Sequence, residues 1–201
     1  MDEREVNTVK YYDNKAQEWA NSHGGDEKDS WWANEMGTFH SFLPSGSVIE
    51  IGAGVGKDAK ALIELGYDYT GIDASIGLIE LAEKRNPDAK FLHKYVNELE
   101  PSIGTFDGFW ASAVLLHIPR EEIEESLNAI SSVVKSGGIG FITLKGGEGE
   151  MIDEKTGRFF TYFSKEGFTE HLKNTGFSVL KFEYRIAERE NWLVFYVKKN
   201  T

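Results

Sequence analysis

Residues 48–56, Val-Ile-Glu-Ile-Gly-Ala-Gly-Val-Gly, decide the fold of this chain. An apolar run that carries one acid, Glu50, predicts a buried strand, and three alternating glycines predict a turn into a helix. Glycine allows a positive φ or a close approach to a ligand, and a helix begins with free N–H groups. A dinucleotide-binding turn is Gly-x-Gly-x-x-Gly, whereas here the third glycine comes one residue early and Lys57 stands in its place. The turn therefore indicates a nucleoside ligand and argues weakly against NAD.

A second acid follows the next apolar run. Residues 69–73, Tyr-Thr-Gly-Ile-Asp, predict another buried strand with Asp73 at its carboxyl end. A carboxylate at that place can accept hydrogen bonds from both ribose hydroxyls of a nucleoside that lies across the first turn. A single acid after a strand is usually only a turn former. Joined to the glycine turn in this order, it favours a nucleoside site.

The pair resembles motifs I and II of the class I S-adenosylmethionine-dependent methyltransferases, with Glu50, the three glycines and Asp73 at matching positions. The resemblance continues through most of the chain. Residues 106–119, from Phe106 to Pro119, resemble the fourth-strand motif of the small-molecule branch. Residues 134–138, Val-Lys-Ser-Gly-Gly, are similar to the turn that precedes strand five in this family, with Ser136 in place of the usual proline.

The resemblance implies an α/β fold with a Rossmann-like doubly wound sheet of seven strands in the order 3-2-1-4-5-7-6. Two apolar runs near the end of the chain, residues 177–182 and 192–197, have no helix between them and predict an antiparallel hairpin. Such a hairpin is typical of methyltransferases rather than dinucleotide dehydrogenases. We expect one domain, 1–201, with a helical lid at 1–44 and the core at 45–201.

The implied cofactor is S-adenosylmethionine, which becomes S-adenosylhomocysteine. Many relatives carry an Asp beside the adenine after strand three, and Tyr95 stands at that place here, so the backbone of Val96 or the side chain of Asn97 is expected to take this role. The positions that the resemblance and the strand ends assign to cofactor binding are Tyr12, Trp19, Glu50, Gly52, Ala53, Gly54, Gly56, Asp73, Ala74, Val96, Asn97 and Ala111.

Composition limits the partners. The chain has 22 basic and 33 acidic residues, for a net charge of −11, and this charge opposes the phosphate contacts on which nucleic-acid affinity depends. It has no cysteine, which excludes disulfides and a thiolate nucleophile. Its charged N-terminal segment does not resemble a secretory signal, and no run is long enough to span a bilayer. The sequence predicts a cytoplasmic protein with a small-molecule substrate, no nucleic acid and no membrane.

Catalysis needs little from the protein, because in methyl transfer the cofactor brings its own activated leaving group. The five histidines are scattered and show no spacing typical of a metal site, so no metal is expected. His117 follows strand four, where an acceptor would meet the methyl group, and is the candidate general base. The alternative is that His117 caps or packs beneath the helix that Pro119 opens.

Aromatic and basic residues are the candidate substrate contacts. Glycines in residues 145–162 predict a mobile arm between strand five and the last helix, where this superfamily often carries substrate-binding loops. Arg158 could pair with an acidic substrate group or with one of the many nearby acids, and Trp31, Phe39 and His40 are either pocket or core residues. The predicted substrate contacts are Tyr11, Trp32, His117, Lys145, Arg158 and Tyr162.

The leading hypothesis is methyl transfer from S-adenosylmethionine to an O, N or S atom of a small molecule. A tRNA or protein methyltransferase is a second possibility, since such relatives share the core. A third is a non-catalytic relative that binds the nucleoside and acts through a partner, and an NAD-dependent oxidoreductase comes last. The sequence names neither the acceptor nor the oligomeric state.

Overall fold

The computed structural model describes residues 2–23, 33–187 and 190–201. Its helices are α1 Glu3–His23, α2 Ala33–Phe42, α3 Lys57–Glu64, α4 Ile76–Arg85, α5 Ile123–Val133 and α6 Lys165–Asn174. Its strands are β1 Ser47–Ile51, β2 Asp68–Asp73, β3 Lys90–His93, β4 Phe106–Ser112, β5 Val134–Lys145, β6 Glu150–Ile152, β7 Phe159–Thr161, β8 Phe177–Ala187 and β9 Glu190–Lys199.

Seven strands form one sheet in the order β3-β2-β1-β4-β5-β9-β8. The first five run parallel, and β9 pairs antiparallel with both β5 and β8. Because β6 and β7 form a separate hairpin, this order confirms the predicted 3-2-1-4-5-7-6 arrangement with its final antiparallel hairpin. Chain order reverses on either side of β1, so the space beside the carboxyl ends of β1 and β4 is the expected ligand position in such a sheet.

The central strands are apolar on both faces because helices cover both sides of the sheet. Ile49, Phe109 and Phe141 on adjacent strands are fully buried, and Trp110 stacks on Phe141 with ring centroids 3.7 Å apart. Ser75 begins α4 by accepting a hydrogen bond from the backbone N–H of Leu78. Packing in this core holds in place the strand ends that surround the site.

Several predicted boundaries shift. Pro119 does not open α5 directly, because a short 3₁₀ turn, Arg120–Glu122, comes first. The turn predicted at 134–138 belongs to β5, where Phe106 pairs with Val134 but Gly108 pairs with Ile139, so extra residues bulge out of the ladder. The arm at 145–162 contains the β6–β7 hairpin, which contacts α1. No helix among the described residues is both long and apolar enough to cross a membrane.

Candidate functional site

The glycine turn after β1 is held against β2. The backbone N–H groups of Gly52 and Ala53 both donate to the carbonyl of Ile72, at 2.9 and 2.8 Å. Gly52 has φ +74°, and a Cβ there would lie 2.5 Å from the side chain of Val114. Gly54 has φ +54°, yet a Cβ there would meet nothing within 4 Å, since it faces open space. Gly52 is therefore required by packing, whereas Gly54 leaves room for a ligand.

Asp73 ties the end of β2 to this turn. One carboxylate oxygen accepts the N–H of Gly54 at 2.8 Å, and the other accepts the N–H of Ser75 at 2.8 Å. Burial raises the pKa of Asp73 against the opposing effect of these two bonds. A carboxylate has about four acceptor positions, so two remain for the hydroxyl groups of a ligand.

A cavity of about 230 Å³ lies between the strand ends and α1. Nine of the predicted site residues line it, namely Tyr12, Trp19, Gly52, Gly54, Asp73, Ala74, Val96, Asn97 and His117. The lining residues that the sequence analysis did not assign are Glu5, Thr8, Val9, Ile72, Leu78, Lys94, Tyr95, Ser112, Ala113, Val114 and Ile118. The cavity thus joins the glycine turn, the segment after β3, the segment after β4 and one face of α1.

Four predicted cofactor positions do not line this cavity. Glu50 is 3% exposed and accepts a hydrogen bond from the Tyr69 hydroxyl, and burial raises its pKa well above the usual range. It therefore supports the turn from within the sheet. Ala53 and Ala111 are buried, and the Gly56 carbonyl accepts a hydrogen bond from the Asn86 side chain at 2.8 Å. These four residues therefore support the site structurally. Other residues of the glycine turn, and of the segment at the end of β4, line the cavity itself.

The segment after β3 forms the opposite wall. Tyr95, at the position where relatives carry an Asp, lines the cavity beside Val96 and Asn97. Its backbone N–H donates to the Glu98 carboxylate at 2.7 Å, which begins a short 3₁₀ turn. Burial raises the pKa of the Tyr95 phenol, so this ring is neutral at pH 7. An aromatic ring thus replaces a carboxylate at this wall.

One face of α1 covers the cavity. Glu5, Thr8 and Tyr12 are spaced by three and four residues and all line the cavity, and Trp19 continues that face two turns later. The Thr8 hydroxyl donates to the Arg4 carbonyl and accepts the Phe159 N–H, both at 2.9 Å. Glu5 and Thr8 are not among the predicted site residues, although their helical spacing from Tyr12 could have identified them.

His117 is held by two hydrogen bonds. Its Nδ1 lies 2.6 Å from the carbonyl of Phe159, and its Nε2 lies 3.0 Å from the hydroxyl of Tyr12. A carbonyl only accepts, so Nδ1 carries the proton. Burial, with Arg158 and Lys145 nearby, lowers the pKa of His117 to about 4. His117 is therefore neutral at pH 7, and its Nε2 accepts the Tyr12 hydroxyl proton.

Arg158, on the segment that leads into β7, contacts the same Tyr12 hydroxyl. Its guanidinium donates to the Tyr12 oxygen at 3.1 Å. It also lies over four aromatic rings, those of Tyr11, Tyr12, Trp19 and Phe160, at 5.0 to 5.7 Å from their centroids. Cation–π contacts of this kind stabilise by about 0.5–1 kcal/mol each where exposed. Arg158 thus joins α1 to the β6–β7 hairpin behind the cavity wall.

Most predicted substrate residues lie outside the cavity. Tyr11 contacts Arg158, while Lys145 pairs with Glu190 at 2.5 Å and lies over the Phe160 ring. The Tyr162 carbonyl accepts a hydrogen bond from Arg120. Tyr11, Lys145 and Tyr162 therefore do not line the cavity. Phe39 is buried in the core, His40 bonds the Tyr67 hydroxyl at 3.1 Å, and Trp31 and Trp32 lie outside the described residues.

The backbone of the segment after β4 is strained where this segment lines the cavity. Ala113 has φ +54°, which is uncommon for a residue with a side chain. The side-chain oxygen of Thr143 accepts the Ala113 N–H at 2.9 Å and holds this backbone. Ser112, Ala113 and Val114 line the cavity as a result. Within the described ranges, no group of three or more His, Asp or Glu side chains is placed to hold a metal ion.

The comparisons with known proteins identify the family. The family model described as a methyltransferase domain matches residues 48–138. An uncharacterized protein of Methanocaldococcus jannaschii is 30% identical over 167 residues, which cover 78% of this chain and 76% of the relative. The chain belongs to the methyltransferase-domain family. The matched family residues contain the glycine turn, Asp73 and the segment with His117.

Two further proteins show how far the likeness extends. The demethylmenaquinone methyltransferase of Renibacterium salmoninarum is 26% identical over 98 residues, or 48% of this chain, and the chain spans about two fifths, 40%, of its length. The solved 1,6-didemethyltoxoflavin-N1-methyltransferase of Burkholderia thailandensis, with S-adenosylhomocysteine and its substrate bound, has a TM-score of 0.73. It is 20% identical, and the match covers 96% of this chain and 91% of that one. At this identity the likeness shows the fold.

Proposed function

We propose that this protein transfers the methyl group of S-adenosylmethionine to a small-molecule acceptor. The observation that carries the proposal is the bond from the Gly54 N–H to Asp73, which joins the two family motifs at the edge of one cavity. When bound, this cofactor supplies an electrophilic methyl group on a sulfonium sulfur.

The cavity residues fit the nucleoside part of this cofactor. Gly54 leaves an open space that a Cβ would enter, and Asp73 keeps two acceptor positions for ribose hydroxyls. The apolar side chains of Leu78 and Val96, with the Tyr95 ring, offer a dry surface for the adenine. The Asn97 side chain, also in the lining, can bond the adenine edge.

The chain's own contribution to the reaction is placement and the exclusion of water. Val9, Val114 and Ile118 surround the part of the cavity next to α1 with apolar side chains. Tyr12 and Trp19 cover it from the helix, and the Arg158 contacts hold that helix closed. Holding an acceptor in line with a reacting carbon lowers the barrier without any covalent role for the protein. The demethylmenaquinone and toxoflavin relatives act on small molecules, as their names state, which supports the same class of acceptor here.

The first test is ligand binding. We expect calorimetry on the purified chain to show binding of S-adenosylmethionine and S-adenosylhomocysteine and no binding of NAD, because Lys57 stands where a dinucleotide turn has its third glycine. Binding of NAD alone contradicts the proposal.

The second test is turnover. Production of S-adenosylhomocysteine is measured with a panel of phenols, quinols, N-heteroaromatic compounds and amines. Turnover with a panel member confirms a small-molecule methyltransferase. Cofactor binding without turnover on the panel, but with methyl transfer to tRNA or to a protein, favours the macromolecular alternative. Mass spectrometry of any molecule that co-purifies with the chain then guides the choice of acceptor.

A further inference from the structure

Glu5 places a carboxylate in the wall of the cavity, away from the family motifs. It lies in the first turn of α1, is 8% exposed, and shares the cavity-facing side of the helix with Thr8 and Tyr12. Buried carboxylates are rare unless they are paired or have a function. Glu5 forms none of the described salt bridges, although a backbone hydrogen bond from Asp2 supports its charged form.

Several other polar groups of the cavity lining are already hydrogen-bonded to protein groups. The Tyr12 hydroxyl donates to His117 and accepts from Arg158, and both ring nitrogens of His117 have partners. The Thr8 hydroxyl both donates and accepts. Asp73, the other carboxylate of the lining, holds the glycine turn through both of its oxygens. Of the two carboxylates in the lining, Glu5 is therefore the one that does not hold the glycine turn.

The surroundings of Glu5 suit a proton acceptor at neutral pH. Burial raises its pKa to about 7, and the carboxylates of Glu122, in the 3₁₀ turn before α5, and of Asp2 add to this effect. Lys94 and Tyr95, on the segment after β3, line the same cavity. A general base works best when its pKa is close to the working pH. The pKa of His117, about 4, makes the imidazole a much weaker base.

We propose that Glu5 accepts the proton that the acceptor's hydroxyl or amine group loses on methylation. This inference rests on the proposed function. The acceptor oxygen or nitrogen forms a bond to the methyl carbon while the carbon–sulfur bond of the cofactor breaks, and the sulfur leaves as a neutral thioether. The acceptor's O–H or N–H bond breaks, its proton moves to the Glu5 carboxylate, and Glu5 later releases it to water. His117 is then a positioning residue that orients Tyr12.

The first experiment measures the Glu5 proton directly and needs no acceptor. The chain is labelled with ¹³C at its glutamate carboxyl groups and titrated in complex with S-adenosylhomocysteine. One resonance, absent from the Glu5→Gln variant, is expected to titrate near pH 7. Titration of that resonance at about 4.3, the value of an exposed glutamate, overturns the proposal. Glu3→Gln removes the same charge from an exposed position in the same turn and serves as the control.

The second experiment uses an acceptor found with the panel. Glu5→Gln is expected to lower kcat by about 10²–10⁴-fold and to remove the acidic limb of the pH–rate profile. The dissociation constant of S-adenosylmethionine and the melting temperature should stay within about twofold and a few degrees of the parent, and Glu3→Gln should match the parent throughout. A Glu5→Gln variant with parental kcat and an intact acidic limb overturns the proposal.

The outcomes separate this inference from the proposed function. A chain that binds neither adenosyl ligand refutes the proposed function, and the ¹³C titration of the ligand-free chain then decides whether Glu5 has the raised pKa. A chain that methylates an acceptor while Glu5→Gln keeps full activity refutes only the role of Glu5. Glu5→Asp supplies a further check, since a shortened base should retain part of the rate and the acidic limb.

Discussion

The hydroxyl of Tyr12 lies 3.0 Å from Nε2 of His117, although 105 residues separate them in the chain. This bond joins the cavity face of α1 to the segment that follows β4. Since Nδ1 of His117 also donates to the Phe159 carbonyl, one imidazole connects three separate parts of the chain. These bonds are contacts that the packing alternative for His117 requires, and its role as a general base stays a prediction.

Gly54 provides a test of ligand placement. Gly54→Ala puts a methyl group where the structure has open cavity, and we expect it to weaken S-adenosylmethionine binding at least about tenfold, or about 1.4 kcal/mol. Calorimetry gives the affinity. Gly66 also has a positive φ and open space around a Cβ but lies outside the cavity. Gly66→Ala therefore carries similar backbone strain, and equal affinity losses in the two variants contradict the assignment.

Asp73 holds the glycine turn and keeps positions for ribose hydroxyls. Asp73→Asn replaces one accepting oxygen with an amide that cannot accept the N–H of Gly54 or Ser75, and hydrogen bonds to charged groups contribute about 1.5–3 kcal/mol each. We expect S-adenosylmethionine affinity to fall about ten- to a thousandfold. Asp68→Asn, at the exposed start of the same strand, is the matched control. Unchanged binding in Asp73→Asn would show that the ribose lies elsewhere.

The sequence was sufficient for the sheet and the cofactor half of the site. The glycine turn and Asp73 follow apolar runs directly, and parallel strands bring their carboxyl ends to one edge, so local patterns were enough. The acceptor half depends on long-range contacts, such as that between Arg158 and Tyr12 across 146 residues. The short, exposed strand β6 has no periodic pattern. For this reason the sequence predicts Arg158 and Lys145 as substrate contacts, whereas in the structure neither residue lines the cavity.

Arg158 holds the helix that covers the cavity. Arg158→Met keeps an unbranched side chain but removes the bond to Tyr12 and the cation over the aromatic rings. We expect the dissociation rate of S-adenosylhomocysteine to rise about ten- to a hundredfold, in line with a loss of about 1.4–2.8 kcal/mol. Stopped-flow tryptophan fluorescence can follow the release. Lys155→Met, an exposed residue of the same hairpin, should release the ligand at the parental rate, and equal rates in both variants contradict the role of Arg158.

The buried imidazole makes stability depend on pH. The pKa of His117 is about 4 in the folded chain and about 6.5 in the unfolded chain, because burial disfavours its charged form. Below pH 6.5 the unfolded chain binds a proton that the folded chain does not, so the stability present above pH 6.5 is lost as the pH falls towards 4. The loss is at most about 3 kcal/mol. Urea unfolding of the parent and of His117→Asn between pH 7.5 and 4.5 measures this loss as the difference between the two profiles, because Glu5, with its pKa raised to about 7, contributes with the opposite sign in the same range. Between these two pH values His117→Asn should lose less stability than the parent, even if its free energy of unfolding at pH 7.5 is lower. The exposed His93 supplies the control, because His93→Asn should keep the parental slope. The same slope in His117→Asn and in the parent would mean that folding does not lower the pKa of His117, so that the imidazole would be charged below about pH 6.5 and Nε2 could then no longer accept the Tyr12 proton.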